Sequence, residues 1–484
     1  MCDQNPGFLL LLLLALAGCR DKGPALYELL PAAKTGVTFA NTLVEDDSLN
    51  IVNLMYLYNG AGVGVGDVNG DGLPDLFFAG NAVQSKLYLN RGDWRFEDIS
   101  EQAGITDKAW CTGVSMVDIN DDGWLDVYVS TVSFDLKRGS PNLLYLNQGP
   151  DASGVPVFVE QAQAFGLADT GYSTHAAFFD YDGDGDLDVY VLTNSMSKGD
   201  RNVPRLDGPI SDGSASSTDR LYRNNGDNTF TNVSREAGIR FEGWGLGLVV
   251  ADVNGDNWPD IYVANDFLTH DLLYINNRDG TFTNRISEYF KHLSHNGMGV
   301  DIADFNNDGL PDIVVLDMLP EDNQRQKSMF AAPDYARFQM NRSRGYEVQY
   351  VRNTLQLNNG NGTFSEIGQL AGIYKTDWSW ASLFMDMDND GLRDLLITNG
   401  YQRDVTDLDY VVYSTQSTLF GTPEARKKKL LDAANQLPGV KKHNYLYRNR
   451  GNLTFEDMSQ AWGFGQPSYS NGAAYADLDG DGYL

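Results

Sequence analysis

The chain has 484 residues, with 36 Lys and Arg against 66 Asp and Glu, for a net charge of -30. Such a surface repels phosphate backbones, which sets nucleic-acid binding aside. Its 42% hydrophobic content is ordinary for a globular protein, and nothing after residue 19 is apolar enough to span a membrane.

In chain order the first element is a targeting segment, residues 1–18. Phe8 to Leu16 is an apolar run too short to span, followed by Leu16-Ala17-Gly18-Cys19. This resembles a bacterial lipoprotein signal cleaved before Cys19, although Met1 to Gly7 contains no Lys or Arg. The resemblance implies lipidation at Cys19, a short linker over 19–24 and an outer-membrane lipoprotein at the cell surface or periplasmic face. Loss of Cys2 and lipidation of Cys19 leave Cys111 as the one thiol, so no intrachain disulfide forms.

From residue 25 to 484 the chain is organised by one phrase, Asp-x-[Asp/Asn]-x-Asp-[Gly/Asn]-x-x-Asp, which occurs seven times. Oxygen ligands at positions 1, 3, 5 and 9 converge when the chain turns sharply at position 6, and only a hard cation repays such crowding of carboxylates. Calcium is the natural choice, with up to seven structural ions. The ligand sets are Asp67, Asn69, Asp71 and Asp75; Asp118, Asn120, Asp122 and Asp126; and Asp180, Asp182, Asp184 and Asp188. Next come Asp252, Asn254, Asp256 and Asp260; Asp304, Asn306, Asp308 and Asp312; and Asp386, Asp388, Asp390 and Asp394. The seventh set is Asp477, Asp479 and Asp481, where the chain ends at Leu484, inside the loop. Counted over the whole loop, which in copy two includes Asp121, copies one, four and five contain three carboxylates each and are expected to bind more weakly than the third. No Glu follows at position 12 and no helices flank the loops, so these are not EF-hands.

Between the loops a second phrase returns: Leu87-Tyr88-Leu89-Asn90, then Phe96 to Ser100, then Ala103-Gly104-Ile105. It recurs from Leu221, around Tyr274 and Phe282, around Leu357 and Phe364, and around Tyr447 and Phe455. Each unit reads as four short strands: an inner one such as Gly113 to Val117, a second such as Val127 to Ser130, then a hairpin with a turn such as Asn359-Gly360-Asn361-Gly362. The pattern predicts an all-β, seven-bladed β-propeller with calcium-binding Asp-rich loops. Its seventh blade is incomplete in this chain. Tyr27-Glu28-Leu29-Leu30 with Gly36-Val37 matches Phe96-Glu97-Asp98-Ile99 with Gly104-Ile105. Ala25 to Pro31 is therefore expected either to be the outermost strand of blade seven, closing the ring, or to be a plain leader strand.

On these residues the unit resembles the FG-GAP/VCBS repeat of integrin-α-type propellers. The chain as a whole is similar to bacterial relatives of the cartilage acidic protein family, of which Trp378-Ser379-Trp380 before Asp386 is typical. The resemblance implies a calcium-holding propeller over nearly all of the mature chain.

Successive loops lie 51 to 91 residues apart, and lengthened segments at 131–141, 194–219, 317–352 and 399–443 all join strand two to strand three. Insertions then gather on one face and the Asp loops on the other, and binding surfaces are usually built from such loops. Eight residues before each loop stand Asn59, Trp110, Tyr172, Trp244, Asn296, Trp378 and Tyr469. These positions either ring the channel mouth, where aromatics stack on sugars or apolar side chains, or wedge between blades. In the 317–352 insertion Arg337 and Arg344 stand among aromatics, so they either receive an anionic glycan or peptide or bridge acidic blades. Thr422 before Pro423 opens a helix to Leu437 with a basic run from Arg426 to Lys429.

Five histidines occur, none in a zinc spacing, and there is no Gly-x-Ser-x-Gly elbow. His175 stands where other copies have Gly or Ala, and either faces the channel or packs in the core. The expected function is a binding or adhesion module for an extracellular glycan or protein ligand, not an enzyme. The alternative is a polysaccharide hydrolase or lyase on the insertion face.

Overall fold

A computed structural model describes residues 25–54, 56–133, 140–195, 207–329, 335–417 and 421–484. The leader, Cys19 and part of the 194–219 insertion lie outside the described residues. Apolar and polar residues alternate along short runs, and the runs pair antiparallel into six four-stranded sheets, each in simple order from the inner strand outward. Blade one, for example, is Val63–Gly66, Asp75–Phe78, Lys86–Asn90 and Phe96–Asp98. Blade six is Ser379–Met385, Asp394–Asn399, Tyr445–Asn449 and Phe455–Asp457.

The core lies between blades. One cluster joins Phe77 and Leu89 of blade one to Val127 and Val129 of blade two. Others join blades two and three, three and four, four and five, and five and six in the same way. Neighbouring inner strands approach closely, so a Cβ on Gly62, Gly113 or Gly247 would come within 2.6 to 2.8 Å of the next blade's backbone.

Six blades form, not the seven that seven Asp loops imply. The described residues after Phe455–Asp457 form no strand. Terminal segments nevertheless pack between blade six and blade one. Tyr27 N–H donates to Trp462 O at 3.0 Å, as Phe158 donates to Ala103 and Phe282 to Ala237 at 2.8 Å. Asn471 Nδ2 donates to Tyr58 O at 3.1 Å, and Asn90 Nδ2 to Leu478 O at 2.8 Å.

All the lengthened segments do connect strand two to strand three. They hold more helix than the sequence pattern suggested: Asn323–Ser328, Tyr335–Ser343, Leu408–Ser417 and Pro423–Ala434. Of these only the last, with the Thr422 hydroxyl accepting from Ala425 N–H, was legible beforehand. The insertions pack on the N-terminal segment in a further apolar cluster that includes Leu57, Met318, Trp378, Tyr401 and Val440.

Candidate functional site

The seven Asp loops share one geometry. Position 1 accepts backbone N–H groups across the turn; Asp67 Oδ1 takes Gly70 N–H at 2.7 Å and Oδ2 takes Gly72 N–H at 2.8 Å. Position 6 has positive φ throughout, from 66° at Asn257 to 95° at Gly185. That is the left-handed turn expected of Gly and Asn. Position 4 is left-handed as well, including Asp121, Asn307 and Asn389, which the sequence pattern did not reveal.

Position 9 does two jobs. Asp75, Asp126, Asp188, Asp260, Asp312 and Asp394 are fully buried where the second strand begins. Asp75 Oδ2 accepts Val68 N–H at 2.9 Å and Oδ1 accepts Asn90 N–H at 2.8 Å. Burial pushes the pKa of Asp75, Asp126, Asp188, Asp260 and Asp312 up to about 7 and that of Asp394 to about 6, and neighbouring loop carboxylates add to the shift. A bound cation would reverse the balance by favouring the charged forms.

Carboxylate oxygens of Asp180, Asp182 and Asp188, of Asp386, Asp388 and Asp394, and of Asp477, Asp479 and Asp481 lie within 4.8 Å of one another in each loop. Asn120 Oδ1, Asp182 Oδ1 and Asp388 Oδ1, all at position 3, are buried without a hydrogen-bond partner. A buried orphan oxygen is costly unless something positive meets it, and oxygen-only donor sets suit a hard divalent ion. The residues present therefore fit calcium. In two loops an arginine already supplies charge: Arg278 reaches Asp256 at 2.9 Å, and Arg448 reaches Asp388 at 2.7 Å and Asp390 at 3.0 Å.

The position-9 aspartates hold a second device that the sequence displayed without explaining. In blades two, four, five and six the asparagine near the end of the third strand gives its own N–H to position 9 and its side-chain amide to the preceding blade's loop, whereas Asn224 of blade three donates to Leu187 O of its own blade. Asn147 Nδ2 donates to Val68 O at 2.8 Å, Asn276 to Tyr181 O at 2.8 Å, Asn358 to Val253 O at 3.3 Å and Asn449 to Phe305 O at 2.7 Å. Each staple crosses from one blade to the one before it.

On the opposite face the aromatic positions diverge. Trp110 is half-buried and lines the central channel, whereas Trp378 is 4% exposed and stacks on Tyr401 with centroids 4.0 Å apart. Trp244 meets Phe267 edge-on at 4.9 Å, Tyr172 is half-buried, and Tyr469 is exposed beneath Lys441. Arg337 lies in the helix Tyr335–Ser343 and Arg344 just beyond it, both half-buried. Arg325 bridges, pairing with Asp377 at 2.8 Å and also with Asp404 of the last long insertion. Arg403 pairs with Glu45 of the N-terminal segment at 2.9 Å.

Comparison with known proteins agrees with the repeat. The FG-GAP-like repeat family matches residues 67–129, 210–263, 252–315, 343–397 and 433–484. Cartilage acidic protein 1 of Homo sapiens is 26% identical over 211 residues, covering 42% of this chain and 28% of that protein. The Mus musculus protein is 26% identical over 210 residues with the same coverage, so the match spans little more than a quarter of these relatives. Among solved structures, an Agrocybe aegerita lectin that recognises non-reducing terminal N-acetylglucosamine is similar at 17% identity and a TM-score of 0.41, covering 84% of this chain and 83% of its own. The V. cholerae biofilm matrix protein Bap1 is similar at 12% identity and a TM-score of 0.26, covering 82% and 60%. Likenesses this distant do not bear on function. With matches to one repeat covering more than half its length, the chain belongs to the FG-GAP-like repeat family.

Proposed function

We propose that the protein is a calcium-stabilised propeller, held at the cell surface or in the periplasm by a lipid on Cys19, that binds a glycan or protein ligand on its insertion face. The observation that carries this reading is the convergence of three connections, from the N-terminal segment and the two longest insertions, into one apolar and ion-paired platform at the channel's end. Loops fixed in this way on a rigid scaffold present side chains without a large ordering cost on binding. Exposed Tyr350 and Tyr413 stand on that platform's connections, and exposed Tyr469 lies in the C-terminal segment beside Lys441. The buried orphan oxygens at position 3 support calcium, with affinities of about 10⁻⁴ to 10⁻³ M sufficing outside a cell. Tyr27 and Asn471 at the junction of blades six and one support a seventh place in the ring, formed by the two terminal segments.

The test is a glycan array probed with the calcium-loaded and the chelator-treated protein. The expected result is selective binding that chelation removes. Uniformly silent arrays, with no captured protein ligand by cross-linking from the cell envelope, would sink the reading.

A further inference from the structure

A cavity of about 460 Å³ occupies the insertion-side half of the central channel. That is the size of a small-molecule site, roughly 300–1,000 Å³. Trp110, Leu246, Met298 and Trp380 belong both to its lining and to the apolar platform above it, so the cavity lies directly beneath the proposed binding face.

The repeat says which of its lining groups are exceptional. Five residues before the loop, six copies have Gly or Ala: Gly62, Gly113, Gly247, Gly299, Ala381 and Gly472. Blade three has His175. Three residues before the loop the copies have Gly64, Ser115, Ala177, Val249, Leu383 and Ala474, while blade five has Asp301. Both exceptions line this one cavity. Departures from a local rule with no structural gain mark functional positions.

Asp301 bonds the backbone of the next blade's inner strand, whereas His175 has no bond of that kind. His175 makes no side-chain hydrogen bond among the described residues, and burial pushes its pKa down, which leaves a neutral ring with one donor and one acceptor nitrogen. Asp301 Oδ2 accepts Phe384 N–H and Oδ1 accepts Ile302 N–H at 2.9 Å, which leaves a further lone pair on each oxygen. Trp110, Trp380 and Tyr56 add aromatic surface to the lining.

The geometry points to a binding site for one neutral hydroxylated ring, a single monosaccharide unit, with His175 and Asp301 bonding its hydroxyls and Trp110 and Trp380 facing its apolar side. This deepens the glycan reading and rests on it. Vicinal hydroxyls match a carboxylate that has two free lone pairs, and C–H faces of a sugar match indole rings.

The test is titration of the full chain with free D-glucose, D-galactose, D-mannose and L-fucose, followed by tryptophan fluorescence and saturation-transfer NMR. His175→Ala restores a residue that the repeat itself uses and is expected to melt like the wild type, and Asp301→Asn is the second variant. The expected result is a fluorescence change with at least one sugar, weakened tenfold or more in both variants. If an array shows glycan binding but free sugars leave the fluorescence unchanged, or His175→Ala binds equally well, this inference falls and the insertion-face reading stands. A wild type silent on both array and titration overturns this inference, and the insertion-face reading falls with it if cross-linking also captures no protein ligand.

Discussion

His270 shows what a single residue costs when burial is not matched by bonding. It is 7% exposed, its Nδ1 has no partner, and burial pushes its pKa down to about 4. Its folded pKa lies below the unfolded value near 6.5, so the unfolded chain takes up a proton first as pH falls. Stability from the neutral ring is therefore present above about pH 6.5 and is lost between there and pH 4, by up to about 3 kcal/mol. The position-9 aspartates act in the opposite sense, since their raised pKa favours the folded chain as pH falls from 7 towards 4. Comparing His270→Gln with the wild type isolates the histidine's part. The variant's melting temperature is expected to fall less between pH 7 and pH 4.5, and parallel curves would refute this. At this scale the loops were legible because carboxylate spacing and position-6 glycines are dictated by local turn geometry. The channel-mouth aromatics were legible only in part, since Trp110 lines the channel and Trp378 packs away from it. Register shifts between Ser379 and Ser382, between Cys111 and Val114 and between Gly245 and Gly247 break the alternation from which side-chain direction was extrapolated. Trp380, not Trp378, therefore lines the channel.

Between elements, asparagine staples link the third strands of blades two, four, five and six to the neighbouring loop. Asn147 is fully buried; its amide donates to Val68 O and to Leu125 O at 3.0 Å, and its Oδ1 accepts Gly149 N–H at 3.0 Å. Removing it strands two carbonyls and one N–H, each worth roughly 1–3 kcal/mol if left dry. Asn147→Ala is expected to lose about 2–4 kcal/mol in urea denaturation, with the loss reduced if water enters the gap. A change below about 0.5 kcal/mol, as for an ordinary surface substitution, would show that the staple holds nothing. The sequence printed this asparagine in every repeat, yet its partner lies in another blade, and only the assembled ring reveals it. The four strands per unit were legible from period and turn signals. The blade count was not, because a loop motif marks where a sheet begins and says nothing of whether its remaining strands are there to pair.

For the whole molecule, position 9 lets one site influence the next. An ion held by Asp126 would fix the carboxylate that holds Asn147 N–H, and Asn147 in turn holds the loop of blade one through Val68 O. Occupancy in one blade thus stiffens the neighbour's loop, and ion binding is linked to the stability of the ring rather than of a single turn. With site affinities of about 10⁻⁴ to 10⁻³ M, about 2 mM calcium contributes on the order of 1 kcal/mol per occupied site. For a chain this long that corresponds to roughly 2 °C per site or less. Loop four is expected to contribute least, because it carries three carboxylates and the Arg278 guanidinium already offsets Asp256. The melting temperature should climb with the logarithm of calcium concentration, and magnesium should substitute poorly, since it demands a tighter octahedron than seven flexible loops supply. Equal melting temperatures in EGTA and in calcium, measured by calorimetry at one pH, would mean that hydrogen bonds alone hold these loops and that the carboxylates serve some other end.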